Sequence, residues 1–144
     1  EYGHITEDGE VRKAMVEKRA RKLDKLCGED LEEPLYLGGE EIDYLLIGWG
    51  STYGALKEAR EILEEEGFKV GLLSYSDVWP LPIGKLNKYK DKELIVVENN
   101  YTAQFARLIS SETGIRAKYN ILKYDGRPFT AREIVERFKE EVIK

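Results

Sequence analysis

Three short segments carry residue types able to bind an anion or a polar ligand, and each directly follows an apolar run. The first, LLIGWGSTYGALKEA (45–59), spaces Gly48, Gly50 and Gly54 around Ser51, Thr52 and Tyr53. A glycine-rich turn opening into a helix is where backbone N–H groups and the helix dipole cradle phosphate. The spacing meets neither standard cradle. A dinucleotide fingerprint needs its third glycine one residue earlier, and a P-loop needs Gly-Lys followed by Ser or Thr. Two readings stay open: an anion seat in which Gly50 frees the turn and Ser51 or Thr52 caps the helix, or a plain strand-to-helix turn beside Trp49.

The second segment, SDVWPLPIG (76–84), follows KVGLLSY and holds two prolines around Leu81, which forbid regular pairing. Pro82 predicts the start of a short helix ending near Tyr89. Trp79 is either buried beneath that helix or presented to a partner. The third, VENNYTAQ (97–104), gathers Glu98, Asn99, Asn100, Tyr101 and Gln104. This cluster suits a polar ligand or a docking surface; equally, Asn99 or Asn100 caps the next helix and Glu98 accepts backbone N–H groups. In KYDGRPFT (123–130), Arg127 is placed either to bind a carboxylate or to pair with Asp125. No catalytic set emerges: His4 is the sole histidine and lies in an acidic N-terminal stretch, and no two carboxylates are singled out by spacing.

The elements that must position these loops follow from periodicity. IDYLLIG (42–48), KVGLLSY (69–75) and ELIVVEN (93–99) are short and dense in Ile, Leu and Val, as strands covered on both faces must be. Helices with Leu56, Ala59, Ile62 and Leu63, and with Phe105, Leu108 and Ile109, on one face follow the first and third, ending at Gly67 and Gly114. RAKYNILKY (116–124) alternates as a half-exposed edge strand. Thr130 and Glu133 predict a capping box opening a last helix with Ile134, Val135, Phe138 and Val142 as its apolar stripe. The expected fold is α/β, three-layered, with a mostly parallel sheet between helices and an N-terminal helical arm. The arm with its acidic linker is assigned to residues 1–33 and the α/β domain to 34–144.

Composition narrows the function classes. The 144 residues carry a net charge of −5 and a single cysteine, Cys27, which excludes a disulfide framework or a cluster held by several thiolates of this chain. A reducing, cytoplasmic setting is expected. No apolar run approaches the ~20 residues that span a bilayer. Residues 11–27 hold seven Lys or Arg, whereas 29–43 hold seven acids and no base. The acid beside the basic helix disfavours nucleic acid, so neither nucleic acid nor membrane is expected as a partner. The opening on Glu1 suggests a piece of something longer.

Four blocks in order, RKAMVEKRARKL, GWGSTYGALKEA, VVENNYTAQFARL and ILKYDGRPFT, joined by WPLP, resemble the C-terminal part of the α subunit of 2-oxoacid:ferredoxin oxidoreductases of the 2-oxoglutarate or pyruvate type. The resemblance implies a fold like the transketolase C-terminal domain. It also implies an enzyme that decarboxylates a 2-oxoacid with thiamine diphosphate and magnesium, passes electrons through iron–sulfur clusters to ferredoxin, and forms an acyl-coenzyme A. The chain lacks the GDG-type loop that holds the diphosphate and magnesium, so no catalytic, cofactor-binding or metal residue is transferred to it. Cofactors are expected on the N-terminal remainder of the subunit and on a thiamine-binding β subunit. The expected role is a non-catalytic domain supporting assembly and inactive alone; the alternative is a free-standing Rossmann-like module binding a nucleotide or anion.

Overall fold

The computed structural model describes residues 3–144. Contacts divide the chain into two compact units, Glu1–Glu32 and Glu33–Lys144. The first is essentially one helix, α1 (Gly9–Glu29), opened by Asp8, whose carboxylate accepts the backbone N–H groups of Glu10 and Val11. Its apolar side chains Val11, Met15, Val16 and Leu23 are exposed.

The second unit is the α/β domain. Its elements run β1 (Leu35–Leu37), β2 (Tyr44–Trp49), a 3₁₀ turn (Gly50–Thr52), α2 (Tyr53–Glu65), β3 (Val70–Tyr75), α3 (Gly84–Lys88), β4 (Glu93–Glu98), α4 (Gln104–Thr113), β5 (Tyr119–Leu122) and α5 (Ala131–Phe138), which finishes in a π turn over Lys139–Ile143. The strands form one sheet in the order β1-β3-β2-β4-β5. All neighbouring pairs are parallel except β1 with β3, where Leu35 faces Ser74 and Leu37 faces Leu72.

Alternation along the strands separates two cores. Leu46, Leu72, Ile95, Val97 and Ile121 face α2 and α5, meeting Leu56, Ala59, Leu63, Ile134, Val135 and Phe138. Leu45, Ile47, Leu73, Tyr75, Leu94 and Val96 face the other way, toward Leu86 of α3 and Phe105, Ala106 and Ile109 of α4. The three-layer expectation holds because each central strand carries apolar side chains toward both faces and can be covered twice. The expected helix ends also hold: Gly67 and Gly114 lie in the left-handed region at φ 93° and 73°.

One strand is absent from the sequence reading. β1 has three residues, too few to display alternation, and is specified by its neighbours instead. The preceding Glu33, in the stretch read as a linker, accepts from the N–H groups of Gly84 (3.1 Å) and Lys85 (2.9 Å), while the Lys85 ammonium donates to the Pro34 carbonyl (2.8 Å). These bonds tie the start of the domain to the first turn of α3.

Candidate functional site

From β2 the chain moves outward through α2 to β3, then returns through α3 past β2 to β4. The direction of winding therefore reverses between β2 and β4. In open α/β sheets the crevice outside the carboxyl ends of such a strand pair is where ligands gather. Two of the segments singled out by sequence, 48–53 and 98–104, meet at this switch point, with the loop after β5 beside them.

The glycine turn is explained by packing. A Cβ on Gly48 would lie far inside contact with Leu56 Cδ1 and 2.8 Å from Thr52 Oγ1, so only glycine lets α2 close on β2. Gly50 has φ +57°, the left-handed conformation glycine adopts without strain. Gly54 faces open space within α2, and nothing steric requires it. The helix cap offered in the anion-seat reading is not made by Ser51 or Thr52, since α2 has no side-chain cap. The Thr52 hydroxyl turns back to Trp49, accepting from its N–H (3.2 Å) and donating to its carbonyl (2.8 Å), because this closes the buried turn. Ser51 stays exposed, and Tyr53 packs into the core with α2 and α5.

The second junction is built on a buried charge. Glu98, at 0% exposure, accepts from Phe105 N (2.8 Å) and Asn100 Nδ2 (2.7 Å) at one oxygen and from Ala106 N (3.0 Å) at the other. Asn100 Oδ1 accepts from Thr102 N and Gln104 N, both at 3.2 Å. The first turn of α4 thus receives a carboxylate and an amide where its N–H groups would lack partners and its dipole is positive. The structural alternative for Glu98 and Asn100 prevails. Asn99 remains exposed and donates through Nδ2 to the Arg127 carbonyl (3.2 Å), which fastens the β5–α5 loop to the switch point.

That loop is shaped by Lys123. Its ammonium pairs with Glu133, donates to the Pro128 carbonyl (3.1 Å) and lies 4.0 Å from Asp125. Hydrogen bonding from Lys123, together with the Thr130 N–H and hydroxyl of the expected capping box, lowers the Glu133 carboxyl to about 2. Arg127 does not use its guanidinium on Asp125. Asp125 accepts the Arg127 backbone N–H (3.0 Å) instead, and the guanidinium has no ion pair among the described residues. Ser51, Asn99, Lys123, Tyr124 and Arg127 line an open cavity of about 450 Å³. Of its two cations, only Arg127 is uncompensated.

Around this crevice lies an apolar rim. The exposed large apolar side chains of the α/β unit are Leu35, Trp49, Trp79, Ile83, Tyr101, Tyr124 and Ile143. All but Ile143 belong to the carboxyl edge of the sheet, because they end a strand, follow one, or, for Leu35, sit opposite the end of β3. Trp79 is 56% and Tyr101 70% exposed, so Trp79 is not buried beneath α3. Tyr101 and Tyr124 meet edge to face at 4.9 Å. Sequence reasoning did not single out Leu35, Ile83 or Tyr124, which reach the same edge of the sheet only through the order and direction of the strands. Among the described residues, no group of three or more His, Cys, Asp or Glu could hold a metal ion.

Residues 42–134 match the family described as pyruvate:ferredoxin oxidoreductase core domain II. The chain belongs to that family. It is 38% identical to the 2-oxoacid:ferredoxin oxidoreductase subunit alpha of Saccharolobus solfataricus over 149 aligned positions, covering 100% of this chain but 23% of that subunit. Among solved structures it is similar to the 2-oxoglutarate:ferredoxin oxidoreductase from Magnetococcus marinus, with TM-score 0.84 and 32% identity over 96% of this chain and 24% of that one. That protein was solved with 2-oxoglutarate, coenzyme A and succinyl-CoA bound. A split-gene transketolase shares the fold, with TM-score 0.57 and 17% identity over 78% of this chain and 43% of that one. This domain II is therefore the transketolase C-like region of a 2-oxoacid:ferredoxin oxidoreductase alpha subunit. Among its described residues, no helix is long and apolar enough to cross a membrane.

Proposed function

We propose that this domain II is an assembly domain, seated by the carboxyl edge of its sheet on the remaining N-terminal part of its subunit and on a thiamine-binding β subunit. The complete enzyme oxidatively decarboxylates a 2-oxoacid to its acyl-coenzyme A in the cytoplasm, with ferredoxin as electron acceptor. Thiamine diphosphate, magnesium and the iron–sulfur clusters are carried outside this chain, which is inactive alone. The observation that carries this reading is the apolar rim: Leu35, Trp49, Trp79, Ile83, Tyr101 and Tyr124 are exposed together at one edge. Aromatic side chains concentrated in one patch are the usual anchors of protein interfaces.

The rival reading, a free-standing nucleotide or anion module at the glycine turn, has less support. Gly48 is needed for helix packing, Gly50 for its φ, and Gly54 for neither.

The test is reconstitution of the complete enzyme with rim variants. Trp79→Ala and Tyr124→Ala are each expected to weaken assembly about tenfold or more, as removal of an interface anchor does. Co-purification and ferredoxin-linked turnover should fall together while the melting temperature of the isolated chain stays unchanged. Turnover of a 2-oxoacid by the isolated chain with thiamine diphosphate, or full assembly of both variants, would overturn the proposal.

A further inference from the structure

Next to the Arg127 crevice, and separated from it by the Tyr101–Tyr124 pair, the start of α4, the α4–β5 connection and β5 line a second open cavity of about 420 Å³. Arg107 projects to it from α4 and Arg116 from the connection, with Ser110 and Asn120 beside them and Ala106 and Ala117 among the apolar lining. No carboxylate lines this space. Neither arginine has an ion pair among the described residues, whereas Arg60 and Arg137 each hold a glutamate one helical turn away at 2.7 Å. In a chain where 28 acids outnumber 23 bases, two guanidinium groups sharing an acid-free cavity form a local field of the opposite sign to the whole.

A second observation falls on the same wall. Ala103, which lines the cavity and precedes α4, lies at φ 51° and ψ 53°. This left-handed conformation is uncommon for any residue except glycine, asparagine or aspartate. Strained backbone of this kind concentrates at ligand sites.

We propose that this cavity binds a phosphate group, its oxygens held by the paired forks of Arg107 and Arg116 and by the Ser110 hydroxyl. Guanidinium matches phosphate with two parallel N–H···O bonds, and two guanidinium groups from separate elements gain most from an anion that neutralises both. The volume suits a small ligand. Free inorganic phosphate or pyrophosphate and the phosphate of a small organic ester share this chemistry. The alanine-lined floor leaves room for an organic body beside the phosphate.

The test titrates the 144-residue chain with phosphate, pyrophosphate and adenosine monophosphate, read by calorimetry and by the arginine Nε–H and backbone amide resonances. Saturable binding is expected, with shifts confined to Arg107, Arg116, Ser110 and Asn120. Arg107→Gln and Arg116→Gln should each weaken it about tenfold, the loss of one charge-assisted fork. Arg132→Gln, an equal change of net charge on α5, should leave it unaltered. A phosphate ester binding more tightly than phosphate and pyrophosphate assigns the organic source, and the reverse order the inorganic one. No saturation below ~10 mM, equal weakening by Arg132→Gln, shifts spread over all basic residues, or shifts centred on Arg127 instead would each overturn the proposal.

Discussion

The two strand-to-helix junctions at the switch point do the same mechanical job by different physics. β2 passes into α2 through Gly48 and Gly50, with no side chain capping the helix and the Thr52 hydroxyl spent on closing its own turn. β4 passes into α4 through a buried carboxylate and an amide that take four backbone N–H groups, those of Thr102, Gln104, Phe105 and Ala106. The first junction is solved by removing atoms, the second by adding charge. A turn rich in glycine therefore need not be waiting for an anion, and a polar cluster at a strand end need not face a ligand. In this domain the anion at the second turn is its own Glu98.

The comparison can be broken most forcefully at Glu98. Replacing it by alanine leaves buried donors without partners and opens a cavity, so Glu98→Ala should lower stability by about 3 kcal/mol or more. The urea midpoint measures this, and hydrogen exchange should accelerate first in α4. Gly48→Ala comes next. The added methyl meets Leu56 and Thr52 Oγ1, and overpacking of this kind costs about 2 kcal/mol. A midpoint within error of the parent would show that α2 can shift away, and would return the glycine turn to the list of ligand-shaped features. The reverse sign is expected at Ala103, where Ala103→Gly relieves a left-handed alanine and should stabilise the domain by roughly 0.5 kcal/mol after the flexibility of glycine is counted.

The smallest effect lies at a third junction, between β5 and α5, where Glu133 closes the capping box and pairs with Lys123. Its carboxyl is held at about 2 in the folded chain, below an ordinary glutamate, so its contribution is complete above about pH 4.5 and is lost as pH falls toward 2. Unfolding midpoints followed from pH 5 to pH 2 should decline less steeply in Glu133→Gln than in the parent. Identical slopes would remove Glu133 from this account.

What was legible in the sequence is what local chemistry decides. The Thr130–Glu133 box, Gly67 and Gly114 as helix stops, and the doubly apolar strands each declare themselves within a few residues. The capping role of Asn100 and Glu98 was legible as one of two readings, because Glu98 lies seven and eight residues before the N–H groups it binds. β1 was illegible because three residues carry no period, and its pairing with β3 is set by tertiary contact. Ala103 gave no signal, since alanine is not among the residues that favour a left-handed turn. Arg107 and Arg116 are ordinary surface residues nine positions apart until α4 and its connection to β5 bring them to one cavity.

The apolar rim also sets how the domain behaves when it is alone. Trp49 ends β2, and Trp79, Tyr101 and Tyr124 lie in the loops after β3, β4 and β5, so the sheet itself sets their spacing and no single loop can fold away to hide them. A surface that cannot be withdrawn is a liability in isolation: copies of the chain have in each other the nearest apolar face on which to close. Raising the concentration of the isolated chain is therefore expected to favour self-association through this edge.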